Sequence, residues 1–175
     1  MTPVRPVFGS FETAPLPDSS FGYRVTLRGA PVEGYAAAVL AAAEAEPDAL
    51  PRALTAANGL LLLPGMTDIA KAPGLLVRLS RLFGPEVENY RHTLMLQNRV
   101  HETVPEILVV SNLPPYTRQP PRRPEPPFTA DGELPTQFPH RRGWHTDQSY
   151  RRPPPDISLF FAALPSNKGE GQTLF

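Results

Sequence analysis

The 175-residue sequence contains no cysteine. Disulfides, zinc–thiolate sites, iron–sulfur clusters and cysteine nucleophiles are therefore excluded, and any metal must be held by His, Asp or Glu. Lysine is almost absent as well: Lys71 and Lys168 are the only two, so 15 of the 17 basic residues are arginine. Neither sign of charge is in excess, with 17 basic against 17 acidic residues. That balance gives no reason to expect nucleic acid or an anionic membrane as partner. Long apolar runs are missing too. The longest aliphatic run, Leu60 to Leu63, is far too short to span a bilayer. Met1 to Ser20 holds four prolines and no apolar centre, so it does not read as a signal peptide. A soluble, cytoplasmic chain is the expectation.

What is abundant is proline, at 24 residues, twelve of them between Leu113 and Pro155. Apolar residues make up 41%, enough for one domain with a real core. Residues 1–20 read as a flexible lead-in. Phe21 to Arg28 alternates apolar and polar residues, the period of a half-buried strand. Gly34 to Ala45 is alanine-rich and favours helix, ended by Pro47. Asp48 is placed to cap a second helix to about Ala57, with Pro51 in its first turn. Asn58-Gly59 reads as a turn or helix stop, Leu60 to Leu63 as a short, fully buried strand, and Pro64-Gly65 as its end. Lys71 to Phe83 predicts an amphipathic helix with Leu75, Leu76, Leu79, Leu82 and Phe83 as its stripe. Glu106 to Ser111 and Ile157 to Ala163 predict strands, and residues 113–140 a long Pro/Arg-rich loop. Helices first and strands later argue for an α+β domain with an antiparallel sheet.

The chemistry-bearing element is Gly143-Trp144-His145-Thr146-Asp147. On a strand, residues two apart point to the same face, so an imidazole and a carboxylate here can converge on one ion. Two histidines and one carboxylate on one face of an octahedron form the site of non-haem Fe(II) oxygenases. Alone, a His-x-Asp pair is better read as a surface salt bridge or a strand-end hydrogen bond, since such pairs arise often by chance.

The context is more specific. Trp144-His145-Thr146-Asp147 is followed by Pro153-Pro154-Pro155, by the run from Ile157 to Leu164-Pro165, and by Gly169-Glu170-Gly171-Gln172-Thr173-Leu174-Phe175. Upstream stand Asn58-Gly59-Leu60-Leu61-Leu62-Leu63-Pro64-Gly65, Arg81-Leu82-Phe83-Gly84 and Glu106 to Asn112. This series resembles the TauD/TfdA family of dioxygenases over about residues 21–175. The resemblance implies a double-stranded β-helix (jelly-roll) with flanking helices, and Fe(II) with 2-oxoglutarate as co-substrate. It implies hydroxylation of a small organic substrate by O2, with release of succinate and CO2. His145 and Asp147 match the family's first two iron ligands, and Thr173 matches the threonine that binds a 2-oxoglutarate carboxylate. Gln172 stands where the family commonly has Asp, and Arg141-Arg142-Gly143 replaces the usual polar residues before Trp-His.

The family's second iron-binding histidine and its 2-oxoglutarate arginine lie far beyond the Thr turn and match nothing in this sequence. The chain therefore reads as an N-terminal part, with the jelly-roll incomplete at its C-terminus. The histidines that remain are His92, His101 and His140. Tyr90 and His92 fall in a stretch that contacts substrate in taurine enzymes, but an ordinary core or solvent role suits each better, and none reads as the third ligand. The Arg141-Arg142 pair suits an anionic substrate group, but solvation of the Pro-rich loop is the preferred reading. The competing reading is a non-catalytic remnant or interaction module, with residues 113–127 as a polyproline II ligand. A homo-oligomer is an open option.

Overall fold

The computed structural model describes residues 6–92, 99–111 and 153–164. The chain divides into two compact units, Met1–Asn89 and Tyr90–Phe175.

The first unit is built on a mixed sheet of four strands in the order β1-β2-β3-β4: Val7–Phe8, Phe11–Pro15, Tyr23–Leu27 and Leu61–Leu62. Phe11, Thr13 and Val25 are buried while Glu12 and Arg24 are exposed, the period-two pattern of a sheet covered on one face. Residues 1–20 are thus not a flexible lead-in throughout, since two strands lie within them and Phe11 is fully buried. Pro6, Pro15 and Pro17 stand at the ends of these strands rather than inside them, where a missing N–H costs little. The buried Thr13 hydroxyl donates to the Pro6 carbonyl at 2.5 Å, so its burial leaves no unsatisfied polar atom.

Gly9 and Ser10 close the β1–β2 hairpin, and they are clamped from outside. The Glu46 carboxylate accepts hydrogen bonds from the Ser10 amide (3.0 Å) and the Ser10 hydroxyl (2.5 Å). Gly9 has φ +58°, and a Cβ there would run into the Glu46 carboxylate.

Between β3 and β4 the chain forms two helices, α1 (Tyr35–Ala45) and α2 (Ala49–Ala56). They carry it back far enough for β3 and β4 to pair in parallel, with Tyr23 opposite Leu61 and Arg24 opposite Leu62. The fully antiparallel sheet expected from element order is corrected here: a helical crossover joins these two strands, and such a connection permits parallel pairing. Burial along α1 falls on Ala36, Val39, Leu40 and Ala43, the i, i+3, i+4, i+7 face of a helix. Pro47 pushes Glu46 out of helical backbone, to φ −129° and ψ 67°. Asp48 makes no capping bond, contrary to expectation, because it already sits in helical backbone (φ −85°, ψ −10°) instead of the extended geometry that caps use. Asn58 (φ +53°) and Gly59 (φ +94°) end α2, the Gly59 amide donating to the Leu54 carbonyl at 2.9 Å.

β4 is an edge strand with Leu62 about half exposed, not the fully buried strand expected from its composition. Among the described residues it pairs on one side only. Pro64 limits its length: in this register the amide that would next donate to β3 belongs to residue 64, and proline has none. A 3-10 turn (Thr67–Ala70) and α3 (Gly74–Arg81) follow. α3 is shorter than Lys71–Phe83, and its buried residues are Val77 and Leu79, while Leu75, Leu76, Leu82 and Phe83 are only half-buried.

α1 begins at Gly34 in left-handed backbone, which supplies no side-chain cap. The cap comes from Asp68 in the 3-10 turn, whose two oxygens accept the amides of Ala36 (3.0 Å) and Ala37 (3.3 Å). Burial acts to raise the Asp68 pKa, but hydrogen bonds from the backbone amides of Ala36, Asp68 and Ala37 outweigh it and hold the carboxyl below its ordinary value.

In the second unit, the expected strand at Glu106–Ser111 is reduced to one antiparallel bridge, Val100 to Leu108, flanked by bonds from His101 to Ile107 (2.9 Å) and from Val109 to Arg99 (2.7 Å). Residues 157–163 form no strand with any described residue. Leu159 and Phe161 are half-buried while Phe160 and Ala162 are exposed, so the alternation of an extended chain persists without a ladder. Apolar composition favours a strand, but only a neighbouring backbone makes one. The α+β class holds for the first unit, and the described residues are consistent with a jelly-roll without delineating one.

Two measurements check this architecture. Asp68→Asn is expected to lower stability by roughly 0.5–1 kcal/mol at neutral pH, the lower part of the range for a helix cap because the carboxylate is partly screened by water. A carboxyl held low in the folded state stabilises above its unfolded pKa and loses that contribution as pH falls through the folded value. The stability difference between the parent and Asp68→Asn should therefore be complete and constant above about pH 4 and shrink as pH falls below it, when unfolding is followed against pH. Gly9→Ala should cost about 1–2 kcal/mol in denaturant unfolding, through strain at positive φ and displacement of the Glu46 carboxylate from its bonds to Ser10.

Candidate metal centre

His145, Asp147 and Thr173 lie outside the described residues, as do His140, Arg141 and Arg142. Among the described residues no group of three His, Cys, Asp or Glu side chains is placed to hold a metal. The donor set of the His145–Asp147 pair, one imidazole nitrogen and one carboxylate oxygen, fits Fe(II) as two ligands of a facial triad.

Of the two described histidines, His101 is engaged by its own turn. His101 follows the bridge residue Val100 and opens a turn. Its Nδ1 lies 3.3 Å from the Thr103 amide and 3.2 Å from the Val104 amide, and both amides donate to it. The Ile107 amide then closes the turn on the Val104 carbonyl at 3.0 Å. A ring nitrogen that accepts two N–H groups carries no proton, so the neutral ring is protonated at Nε2. With Nδ1 committed to the backbone and Nε2 carrying the hydrogen, His101 is a turn-forming residue and not a spare ligand. His92 is exposed, and among the described residues it joins no group of three side chains placed to hold a metal. Tyr90 is fixed through its backbone, its amide donating to the Pro105 carbonyl at 2.9 Å, and Arg91 reaches the Glu102 carbonyl at 2.7 Å. This stretch is thus pinned across the 101–105 turn, a role that sequence spacing did not indicate. The one available sign was His101 standing two residues before Thr103 and four before Pro105.

Residues 27–175 match the sequence model of the taurine catabolism dioxygenase TauD, TfdA family. The match covers His145, Asp147 and Thr173 and well over half of the chain, and the chain belongs to this family. Its members are in general 2-oxoglutarate-dependent dioxygenases that use Fe(II). No curated protein and no solved structure matches the chain. No helix among the described residues is long and apolar enough to cross a membrane.

The state of His101 is directly measurable. In the neutral ring, 15N NMR shifts should show Nε2–H and an unprotonated, hydrogen-bonded Nδ1. The opposite tautomer would contradict the turn as described.

Proposed function

We propose that this chain provides the His-x-Asp ligands of an Fe(II)- and 2-oxoglutarate-dependent dioxygenase that hydroxylates a small organic substrate, releasing succinate and CO2. The observation that carries this reading is the spacing of His145 and Asp147 inside a family match that spans both. Iron and the oxo acid together supply the activation of O2 and the oxidation of an unreactive C–H bond. The residues do the rest. His145 offers a neutral imidazole lone pair, and Asp147 an anionic oxygen that offsets part of the metal's charge. Thr173 donates a hydroxyl hydrogen to a carboxylate of 2-oxoglutarate, which orients the anion without adding a charge.

A facial triad takes a second imidazole. His101 is occupied with its turn and His92 belongs to no cluster, so the described residues do not offer one. The described residues favour neither the remnant nor the polyproline reading, and residues 113–127 lie outside them.

The test is anaerobic titration with Fe(II) and then 2-oxoglutarate, read by metal binding and by the weak visible charge-transfer absorption. His145→Ala and Asp147→Ala should each weaken Fe(II) binding by more than about tenfold, the least expected when a direct ligand is lost. His92→Ala and His101→Ala should leave it unchanged. Thr173→Val should weaken 2-oxoglutarate binding by about tenfold while sparing Fe(II), the cost of one charge-assisted hydrogen bond. Equal Fe(II) affinity in the parent and in the His145/Asp147 double variant would sink the assignment.

A further inference from the structure

Where β4 leaves the sheet at Pro64, the far end of β3 has no further strand partner on that side among the described residues. The Leu27 amide, which points to that side, is taken instead by the Tyr35 hydroxyl at 3.1 Å. The gap is an open cleft of about 410 Å3 bordered by Arg24, Thr26, Tyr35 and the Pro64–Gly65 turn. Arg24 and Thr26 are two apart on β3 and share the face that the helices do not cover.

Among the described residues, every polar side chain lining this cleft can donate a hydrogen bond, and none is a carboxylate. Tyr35 accepts the Leu27 amide through its oxygen, and its hydroxyl hydrogen has no acceptor among the described residues. Arg28 is paired with Glu12 at 3.0 Å and Arg78 with Glu44 at 2.7 Å, whereas Arg24 has no carboxylate partner among the described residues. Glu12 stands across from Thr26 in the sheet, but its charge is already matched by Arg28.

We propose that this cleft binds a small carboxylate, held by the Arg24 guanidinium and the hydroxyls of Thr26 and Tyr35. A planar fork of N–H groups matches the two oxygens of a carboxylate, and two flanking hydroxyls satisfy the remaining lone pairs. Charge counting favours a monoanion over phosphate: among the described residues one guanidinium lines the cleft, with no lysine and no second arginine to balance another negative charge. Because the cleft is open to water, binding is weak, with a dissociation constant on the order of 10 mM. The site stands apart from the His145–Asp147 reading, and failure of one leaves the other intact.

The experiment is a 1H–15N NMR titration with sodium propionate, against sodium chloride at matched ionic strength and against inorganic phosphate. Propionate should shift the amides of Leu27, Gly29 and Gly65 saturably, with chloride producing no such shifts. Arg24→Gln should weaken propionate by about tenfold and Thr26→Val by a smaller factor. Arg24 is exposed, so Arg24→Gln should keep the parent spectrum elsewhere. Shifts that do not saturate, or that survive unchanged in Arg24→Gln, would overturn the site. Phosphate binding more tightly than propionate at the same amides would overturn its assignment to a carboxylate.

Discussion

Gly34 starts α1 in left-handed backbone and offers no side chain, so the first amides of the helix depend on a carboxylate 32 residues away. Asp68 meets that need, and meeting it fixes the 3-10 turn against the helix. Much else in the first unit follows. Ile69, in the same turn, is buried, and α1 packs against both that turn and α3. Half of the face α1 buries is alanine, Ala36 and Ala43 beside Val39 and Leu40, so neighbours must approach closely there to exclude water. A small-residue face gains little from each contact and tolerates little displacement. A polar bond that sets the distance between the elements therefore matters more here than it would on a leucine-rich helix.

Surface ion pairs do less. Arg78 makes a forked contact with both oxygens of Glu44, tying α3 to α1, yet both side chains are about half exposed. Arg28–Glu12 is equally open to water. Each is worth at most about 1 kcal/mol. Removing the side chain of Leu40 or Leu50, both fully buried, costs roughly 2–5 kcal/mol. Burial supplies the stability, and the polar contacts select the arrangement in which burial is complete.

Local rules made much of the first unit legible from sequence. Pro47 stops α1, Asn58-Gly59 stops α2 and Pro64 stops β4, because each acts through its own backbone. The remote partnerships were not legible. Nothing near Gly34 points to Asp68, and nothing near Ser10 points to Glu46, since both pairings exist only once the chain has folded back. The N-terminal strands were missed for a related reason: Phe11 and Thr13 are too few to make a period stand out among prolines. Residues 157–163 show the reverse error, where composition was read as a strand although a strand is a property of two backbones. The candidate site was legible as a motif in family context, and its spacing, not any tertiary contact, is what sequence conveys. His101 looked like one more histidine because a ring nitrogen that accepts backbone amides leaves no mark in composition.

β4 has only two paired residues, too few to hold a register by their own contacts. Its position is imposed from outside, by the left-handed Asn58-Gly59 step that delivers it and by the proline that releases it. Mutational tolerance along this segment should therefore be inverted relative to an ordinary strand. Leu61 and Leu62, which form the pairing, can be exchanged for other β-compatible residues at modest cost, whereas the flanking glycine and proline are the positions where the strand's place in the sheet is decided.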